Sequence, residues 1–151
     1  MSGMGRKCQI IWENPLPLSC VMLRKVLDSS VRKVLEGSLY LSLGTDRLDQ
    51  DKNPAYIGIR VAEHQFRLSV PMTFFPEEKE EAGLVYYYNA DNYIKLIIKK
   101  ENDILITSVI KREKAIETCI HQEILNCYQG NSILELQAEK HKLSCILNGR
   151  I

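Results

Sequence analysis

From about Ser38 onward, the chain is a series of short runs in which apolar and polar residues alternate. The runs are rich in Val, Ile, Leu, Tyr and Thr and are separated by Asn, Asp, Gly, Pro and Glu-Lys pairs, a pattern typical of β-strands joined by turns. The alternation predicts strands at 39–43, 56–61, 65–75, 83–88, 93–99, 104–110, 116–125, 133–138 and 142–147. The later links are about two to seven residues long, which is too short for a parallel crossover. We therefore predict an all-β, antiparallel meander or sandwich.

One earlier segment, residues 21–35, resembles a helix in its residue types. Its apolar positions follow neither the period of a helix nor that of a strand, so the pattern leaves its structure open. The chain contains no repeat, low-complexity tract or linker between domains. We expect a single domain over 1–151, with 1–11 as a loose N-terminal segment.

Composition narrows the class of protein. The 151 residues are 45% apolar and 26% charged, as in an ordinary globular domain. A net charge of +1 provides no general field for phosphates or anionic lipids, which disfavours nucleic acid as a partner. No apolar run approaches the roughly 20 residues that a membrane helix needs, so we expect no membrane span. The five cysteines are odd in number and lack CxxC spacing, and no signal peptide precedes them, which predicts a cytoplasmic protein.

Catalytic motifs with strict spacing are missing from the sequence. It contains no GxxxxGK[ST], GxGxxG, GxSxG or HExxH. The segment 101–106 approaches the Glu-x-Asp-x-x-Glu pattern of some glycosidases, but Ile106 replaces the last carboxylate. We therefore expect no catalytic residue in this chain.

Metal binding is also weakly indicated. Cys119 and His121, two residues apart, are expected on one face of a predicted strand, and His141 and Cys145, four apart, on one face of another. These pairs could contribute to a zinc site, but core cysteines beside surface histidines are the favoured interpretation. The segment 49–53 imitates the start of a calcium loop, but Pro54 follows and the twelfth position is Arg60. Asp49 and Asp51 remain candidates for a structural calcium site of another type, and no other cofactor is expected.

Tyrosines are the most distinctive candidates for a binding function. Tyr86 and Tyr88 share one face of a predicted strand and Tyr87 takes the other, so at least one of them lies outside the core. Aromatic faces can stack on sugar rings, while Asn and Arg side chains bond the hydroxyls; boundary packing is the competing role. The candidate carbohydrate-binding residues are Tyr86, Tyr88, Tyr93, Asn89, Asn92, Arg60 and Tyr56.

These residues also carry a resemblance to a known family. Residues 80–96, EEAGLVYYYNADNYIKL, resemble the "AGL-x-x-YYN-x-x-N-x-x-x-L" segment of the C-terminal concanavalin A-like domain of family 43 glycoside hydrolases, the β-xylosidases and their relatives. The segments 35–41, 55–60 and 64–76 also resemble strands of this domain, and a weaker similarity lies around Trp12. The resemblance implies an antiparallel concanavalin A-like (jelly-roll) β-sandwich.

The resemblance has further implications for function. The family's catalytic carboxylates lie on a separate β-propeller, so this chain alone should not be an enzyme, although its parent protein should be a β-xylosidase or arabinofuranosidase. The expected role is a non-catalytic accessory module of a xylan- or arabinoxylan-degrading enzyme that packs against the propeller and binds xylo-oligosaccharide. The alternative is a free-standing lectin-like or protein-interaction module of the same fold.

The family sandwich normally continues for some tens of residues beyond the strand that ends here near Leu147. The resemblance therefore implies a sandwich that is incomplete at the C-terminus. Two explanations stay open: the chain is a fragment of a longer enzyme, or it completes its sheet with a partner chain or as a homo-oligomer, because a missing strand leaves an unpaired edge.

Overall fold

The computed structural model describes residues 20–22, 32–50, 52, 54–61 and 64–148. Its contacts divide the chain into two compact units, residues 1–60 and 61–151, which are described separately below. All regular elements in the described ranges are β-strands, and none of these ranges contains a helix that could span a membrane. The predicted single domain stays a prediction, and the segment 1–11 lies outside the described residues.

The first unit contains two strand pairs. Strand β1 (Cys20–Val21) pairs antiparallel with β4 (Gly58–Ile59), and β2 (Arg32–Leu35) forms a hairpin with β3 (Ser38–Leu41). The hairpin turn is Glu36-Gly37, and both residues have positive φ, as a type I′ turn requires. The end of the segment that the sequence left open is thus a strand, while residues 23–31 lie outside the described ranges. The strand predicted at 56–61 is reduced to two residues.

A four-stranded meander forms the larger sheet of the second unit. Its strands follow the chain in the order β6 (Glu81–Asn89), β7 (Asn92–Glu101), β8 (Ile104–Glu113) and β9 (Ile116–Ile124). Neighbouring strands are antiparallel and are joined by two-residue turns. The alternation of the sequence predicted all four strands, to within a few residues at each end.

The second sheet of this unit joins residues that are far apart in sequence. Strand β10 (Asn131–Glu139) is central and pairs antiparallel with both β5 (Phe66–Thr73) and β11 (Lys142–Leu147). The partner of β5 therefore lies beyond the whole meander. The alternation predicted these strands but not their order.

The core of the second unit lies between its two sheets. Leu96 of β7 packs with Leu134 and Leu136 of β10, and all three side chains are buried. The partly buried residues around this cluster come from both sheets: Phe66, Met72, Leu84, Val109, Cys145 and Leu147. Burying one such leucine contributes about 1.5–3 kcal/mol. The predicted antiparallel β-sandwich is confirmed in this unit.

Strand β7 is also buried on its other face. Lys95 has almost no exposed surface, and its Nζ lies 2.6 Å from Oε1 of Glu81. Ser108 of the neighbouring strand is fully buried, and its Oγ has no hydrogen-bond partner in the part of the chain that the structure describes. A strand buried on both faces is usually a near-continuous apolar run, which explains the sequence YIKLII at 93–98.

Candidate functional site

Two tyrosines of β6 are exposed at the end of the sandwich where the β6–β7 hairpin turns. Tyr86 lies on the same strand face as Leu84, which packs on the core. Tyr86 is 46% exposed, and Tyr88 is 83% exposed. The ring of Phe66 lies against Tyr86, with 5.6 Å between the ring centroids and 36° between the planes. Phe66 and Tyr86 thus form a continuous aromatic surface that reaches from the core to solvent.

The exposure of Tyr88 has a local structural cause. Tyr87 pairs with Tyr93, but the next pair joins Asn89 to Asn92, so Tyr88 is the additional residue of a β-bulge. A bulge bends its strand and redirects the side chain of the unpaired residue. Tyr88 is therefore directed away from the regular ladder, and packing against the sheet does not account for its presence.

The structure separates Tyr93 from the two exposed tyrosines. Tyr93 is only 4% exposed, and its ring stacks on that of Tyr87 with 6.2 Å between centroids. Its hydroxyl donates to Oε2 of Glu117 at 3.4 Å. These contacts are on the opposite sheet face from Tyr86. The expectation that Tyr93 joins the same binding surface is corrected: its ring is a packing element.

The two predicted asparagines hold the hairpin together. Oδ1 of Asn89 accepts from the backbone N–H of Asp91 at 2.9 Å and from Nδ2 of Asn92 at 3.0 Å. Oδ1 of Asn92 accepts from the backbone N–H of Lys114 at 3.1 Å. Both side-chain carbonyl oxygens are thus used within the protein.

The remaining predicted residues belong to the first unit. Tyr56 is half-buried and lies over Gly58, where a side chain would overlap its hydroxyl, and Arg60 is exposed. Asp49 accepts a hydrogen bond from Nε of Arg47 at 3.2 Å, and Asp51 lies outside the described residues. Across the described ranges, no three His, Cys, Asp or Glu side chains are grouped closely enough to hold a metal ion. The calcium site stays a prediction.

Sequence reasoning missed a shallow cleft beside Phe66. It has a volume of about 220 Å³ and is lined by Gln65, Phe66, Arg67, Gln137, Ala138 and Glu139. Nε of Arg67 donates to Oε1 of Glu135 at 2.8 Å, and Glu135 is only 7% exposed. The buried carboxylate fixes the Arg67 side chain at the cleft. Arg67 and Glu135 are 68 residues apart, so no local motif could have revealed the pair.

Strand β9 is an edge of the four-stranded sheet, and all nine of its residues are exposed. Its large apolar side chains are Ile116 (70% exposed), Ile120 (57%) and Ile124 (55%), and together they define the β9 edge. Opposite Val109 and Ile110, β9 carries an additional residue, Ile120. Because this bulge changes the alternation, Cys119 and His121 lie on opposite sheet faces, and the expectation that they share a face is wrong.

Two half-buried groups have shifted pKa values. Desolvation raises the pKa of the Tyr128 hydroxyl, although a hydrogen bond with Ser132 partly opposes the shift. This hydroxyl donates to the carbonyl oxygen of Phe74 at 2.5 Å, which ties the loop before β10 to the end of β5. Burial against the core also raises the pKa of the Cys145 thiol. Both groups serve the fold and lie apart from the exposed tyrosines in sequence.

Comparison with known proteins identifies the family that this chain resembles. The model of the β-xylosidase C-terminal concanavalin A-like domain matches residues 12–149. A xylosidase/arabinosidase from Butyrivibrio fibrisolvens is 37% identical over 82 residues, which are 52% of this chain and 16% of that protein.

Solved structures agree with this match. The family 43 protein BlXynB from Bacillus licheniformis superposes with a TM-score of 0.81 at 24% identity, covering 89% of this chain and 26% of that one. A family 43 protein of a Bacteroides ovatus xyloglucan locus gives 0.75 at 23% identity, covering 93% and 31%. The chain thus spans about a third or less of the length of the proteins it matches. The predicted concanavalin A-like sandwich is confirmed.

Proposed function

Because the chain belongs to the family of β-xylosidase C-terminal concanavalin A-like domains, we propose that it packs as a non-catalytic module against the catalytic β-propeller of a xylan- or arabinoxylan-degrading enzyme. The family itself is an accessory module of family 43 xylosidases and arabinosidases. The observation that carries the packing proposal is the exposed β9 edge.

The β9 edge has the properties of a surface that is covered in the complete protein. An edge strand presents unpaired N–H and C=O groups, and isolated domains usually protect such edges with charges, prolines or a covering segment. Here three isoleucines are more than half exposed along one edge strand. Ile116 and Ile124 lie on opposite faces of the sheet, so the exposed apolar side chains follow the edge itself, where a covering segment would meet them.

The length of the relatives suggests what covers this edge. The matched segment accounts for 16% to 31% of each relative, so most of each protein lies outside it. A domain on the same polypeptide meets the β9 edge at a higher effective concentration than a second copy of the chain does. We therefore favour the propeller over a second copy of this chain as the partner of the β9 edge.

Hydrolysis by this chain alone is not expected. A glycosidase site needs two carboxylates roughly 5–9.5 Å apart in a groove, one of them free to transfer a proton. The Glu135 carboxylate beside the cleft is bound by Arg67, and Glu81 is bound by Lys95. Purified chain should therefore leave aryl xylosides unchanged.

Co-elution tests the packing proposal. The chain is mixed with the part of the Butyrivibrio fibrisolvens protein outside the similar segment, and complex formation is followed by size-exclusion chromatography with light scattering. We expect a one-to-one complex that Ile120→Asp abolishes. Ile133→Asp is the matched control, because Ile133 is similarly exposed but lies on the other sheet.

A complex that tolerates Ile120→Asp would contradict the role of the β9 edge. A homodimer of the chain alone that Ile120→Asp dissociates would identify a second copy as the partner and support the alternative of a free-standing interaction module. Light scattering distinguishes these outcomes by mass.

We also propose a cytoplasmic location. Cys119, Cys127 and Cys145 are free thiols in the described part of the chain, and two of them are exposed, as a reducing compartment favours. Fractionation of the source cells with antibodies against this chain tests the proposal, and recovery from the secreted fraction would contradict it.

A further inference from the structure

We propose that two copies of this chain associate through strand β11, which pairs antiparallel with the same strand of the second copy and joins the two three-stranded sheets into one continuous sheet. The proposal goes beyond the proposed function, because β11 and the β9 edge belong to different sheets. It rests on the register of the described strands and on the residues that β11 places along its free side.

The register leaves one side of β11 with unpaired backbone groups. The N–H of Asn148 donates to the carbonyl oxygen of Ile133 on β10 at 2.8 Å. Residues of an antiparallel pair alternate between bonding their partner strand and facing away from it. Leu143, Cys145 and Leu147 therefore direct their N–H and C=O groups away from β10. In the ranges that the structure describes, no further strand pairs with this side of β11.

The opposite edge of the same sheet is protected from such pairing. The N–H of Phe74 donates to the carbonyl oxygen of Gly130 at 2.8 Å, so Pro71 is among the residues of β5 that face away from β10. A proline has no N–H to donate to a further strand. Strand β11 contains no proline, and after Lys142 it carries no charge. An edge that lacks both features is a template for pairing with another chain.

The edges of the four-stranded sheet are less regular than β11. Strand β6 ends in the bulge at Tyr88, and the ladder of β9 is interrupted at Ile120. A bulge disrupts the ladder and increases the local twist, so a bulged edge offers a partner no continuous row of backbone bonds. The β9 edge therefore suits a contact between side chains, whereas β11 suits pairing through the backbone.

The sequence of β11 is complementary to itself in an antiparallel pair. In the register that we propose, Cys145 lies opposite Cys145 of the partner subunit, and Leu143 of each copy lies opposite Leu147 of the other. Each such pair exchanges two N–H···O bonds, so every residue that faces away from β10 is used. A displacement by two residues pairs one of the leucines with a residue outside β11. The register centred on Cys145 is therefore the one with the most bonds.

The side chains fit the same register. Leu143, Cys145 and Leu147 share the core face of β11, and each is half-buried. Side chains directly opposite in a ladder lie roughly 4.5–5.5 Å apart at Cβ, so each leucine packs on a leucine of the second copy and both lose exposed surface. Lys142, the charged residue of the strand, lies opposite Asn148 of the partner subunit, so no like charges face each other. These matches favour a second copy as the partner of this edge.

Light scattering after size-exclusion chromatography of the chain alone tests the proposal. We expect the mass to approach twice that of one chain as the concentration rises from micromolar to millimolar. Cys145→Pro removes one outward donor from each copy, so it should raise the dissociation constant about 5- to 140-fold, which corresponds to roughly 0.5–1.5 kcal/mol for each lost bond. Ser69→Pro is the matched control, because Ser69 also faces away from β10 but lies on the β5 edge. It should leave the dissociation constant unchanged, and circular dichroism of both variants shows whether the fold is retained.

Isotope-filtered NMR tests the register without any substitution. In a mixture of labelled and unlabelled chains, we expect contacts between the methyl groups of Leu143 and Leu147. Within one strand these residues are about 13 Å apart, so such a contact arises only between two copies.

The proposal would be overturned by a chain that stays monomeric at millimolar concentration, by a dimer without these methyl contacts, or by equal weakening in Ser69→Pro. A dimer that Ile120→Asp dissociates would assign the contact to the β9 edge instead. A monomer that binds the remainder of the Butyrivibrio fibrisolvens protein, and loses this binding in Cys145→Pro, would identify a strand of the larger protein as the partner of β11. Dimers that form equally well in Ile120→Asp would support the proposal and show that it is independent of packing against the propeller.

Discussion

Gly83 lies within the segment that carries the family resemblance, and its backbone explains why a glycine is found there. Gly83 of β6 pairs with Ile97 of β7. A methyl group at this position would overlap the carbonyl oxygen of Leu96 and lie 2.8 Å from Cα of Ile97. These obstacles are backbone atoms, so no rotation of a side chain can relieve the overlap. Gly83→Ala must therefore displace β6 from β7.

The expected loss of unfolding free energy in Gly83→Ala follows from the contacts that this displacement weakens. Overpacking costs about 1–3 kcal/mol, and each weakened ladder hydrogen bond costs about 0.5–1.5 kcal/mol. Replacing glycine by alanine also lowers the entropy of the unfolded chain, which offsets about 0.4–1 kcal/mol. With two ladder bonds weakened, the net loss of unfolding free energy is about 3 kcal/mol. For a chain of this size that corresponds to a melting temperature lower by about 6–12 °C.

Urea denaturation followed by tyrosine fluorescence and circular dichroism measures this loss. The matched control is Gly44→Ala, because a side chain at Gly44 would meet no atom within 4 Å. We expect the control to equal the wild type or to gain a few tenths of a kcal/mol, with the same dependence on urea. A Gly83→Ala variant within about 0.5 kcal/mol of the wild type would refute the backbone overlap and with it the explanation for this glycine.

Three further predictions concern the core and its buried groups. Leu136→Ala should cost about 2–5 kcal/mol in thermal or urea unfolding, because the cavity lies between the two sheets; a loss below 1 kcal/mol would contradict the packing. Because burial raises the pKa of Cys145, the unfolded thiol ionises first as pH rises, so the wild type should lose stability above about pH 9.0. Cys145→Val should lack this loss of stability at high pH. If the unfolding free energies of the wild type and the variant depended on pH in the same way, the raised pKa of Cys145 would be contradicted. Arg67→Met leaves Glu135 buried without its partner, so it should destabilise the chain more than the double variant Arg67→Met/Glu135→Leu, which a double-mutant cycle measures.

Most of the strands could be predicted from the sequence because they lie in hairpins. Alternation of apolar and polar residues within a few positions defines a half-buried strand, and a short link defines its antiparallel neighbour. This local information was sufficient for β6 to β11. It was insufficient for 32–35, where too few residues alternate to distinguish a strand from a helix. The pairing of β5 with β10 depends on the core, so no local pattern contains it.

The candidate site was predicted in part for the same reason. Exposure of Tyr86 or Tyr88 followed from the alternation of three consecutive tyrosines. The burial of Tyr93 did not, because it requires that β7 be covered on both faces. The bulge at Ile120 likewise separates Cys119 from His121 by changing the alternation that the spacing argument assumed. Bulges depend on how two strands fit each other, so the spacing of residues within one strand does not reveal them.

The pairing of β5 with β10 has a consequence for the order of folding. The meander forms by zipping adjacent hairpins, whereas Thr73 must find Asn131, 58 residues away. Closing that loop costs roughly 2–3 kcal/mol more in chain entropy than closing a two-residue hairpin turn. The meander should therefore form early and bring the ends of β5 and β10 together, so that the three-stranded sheet forms last. In a chain synthesised from its N-terminus, β5 must wait until β10 has left the ribosome, and during that interval its apolar face and its unpaired edge are exposed to aggregation.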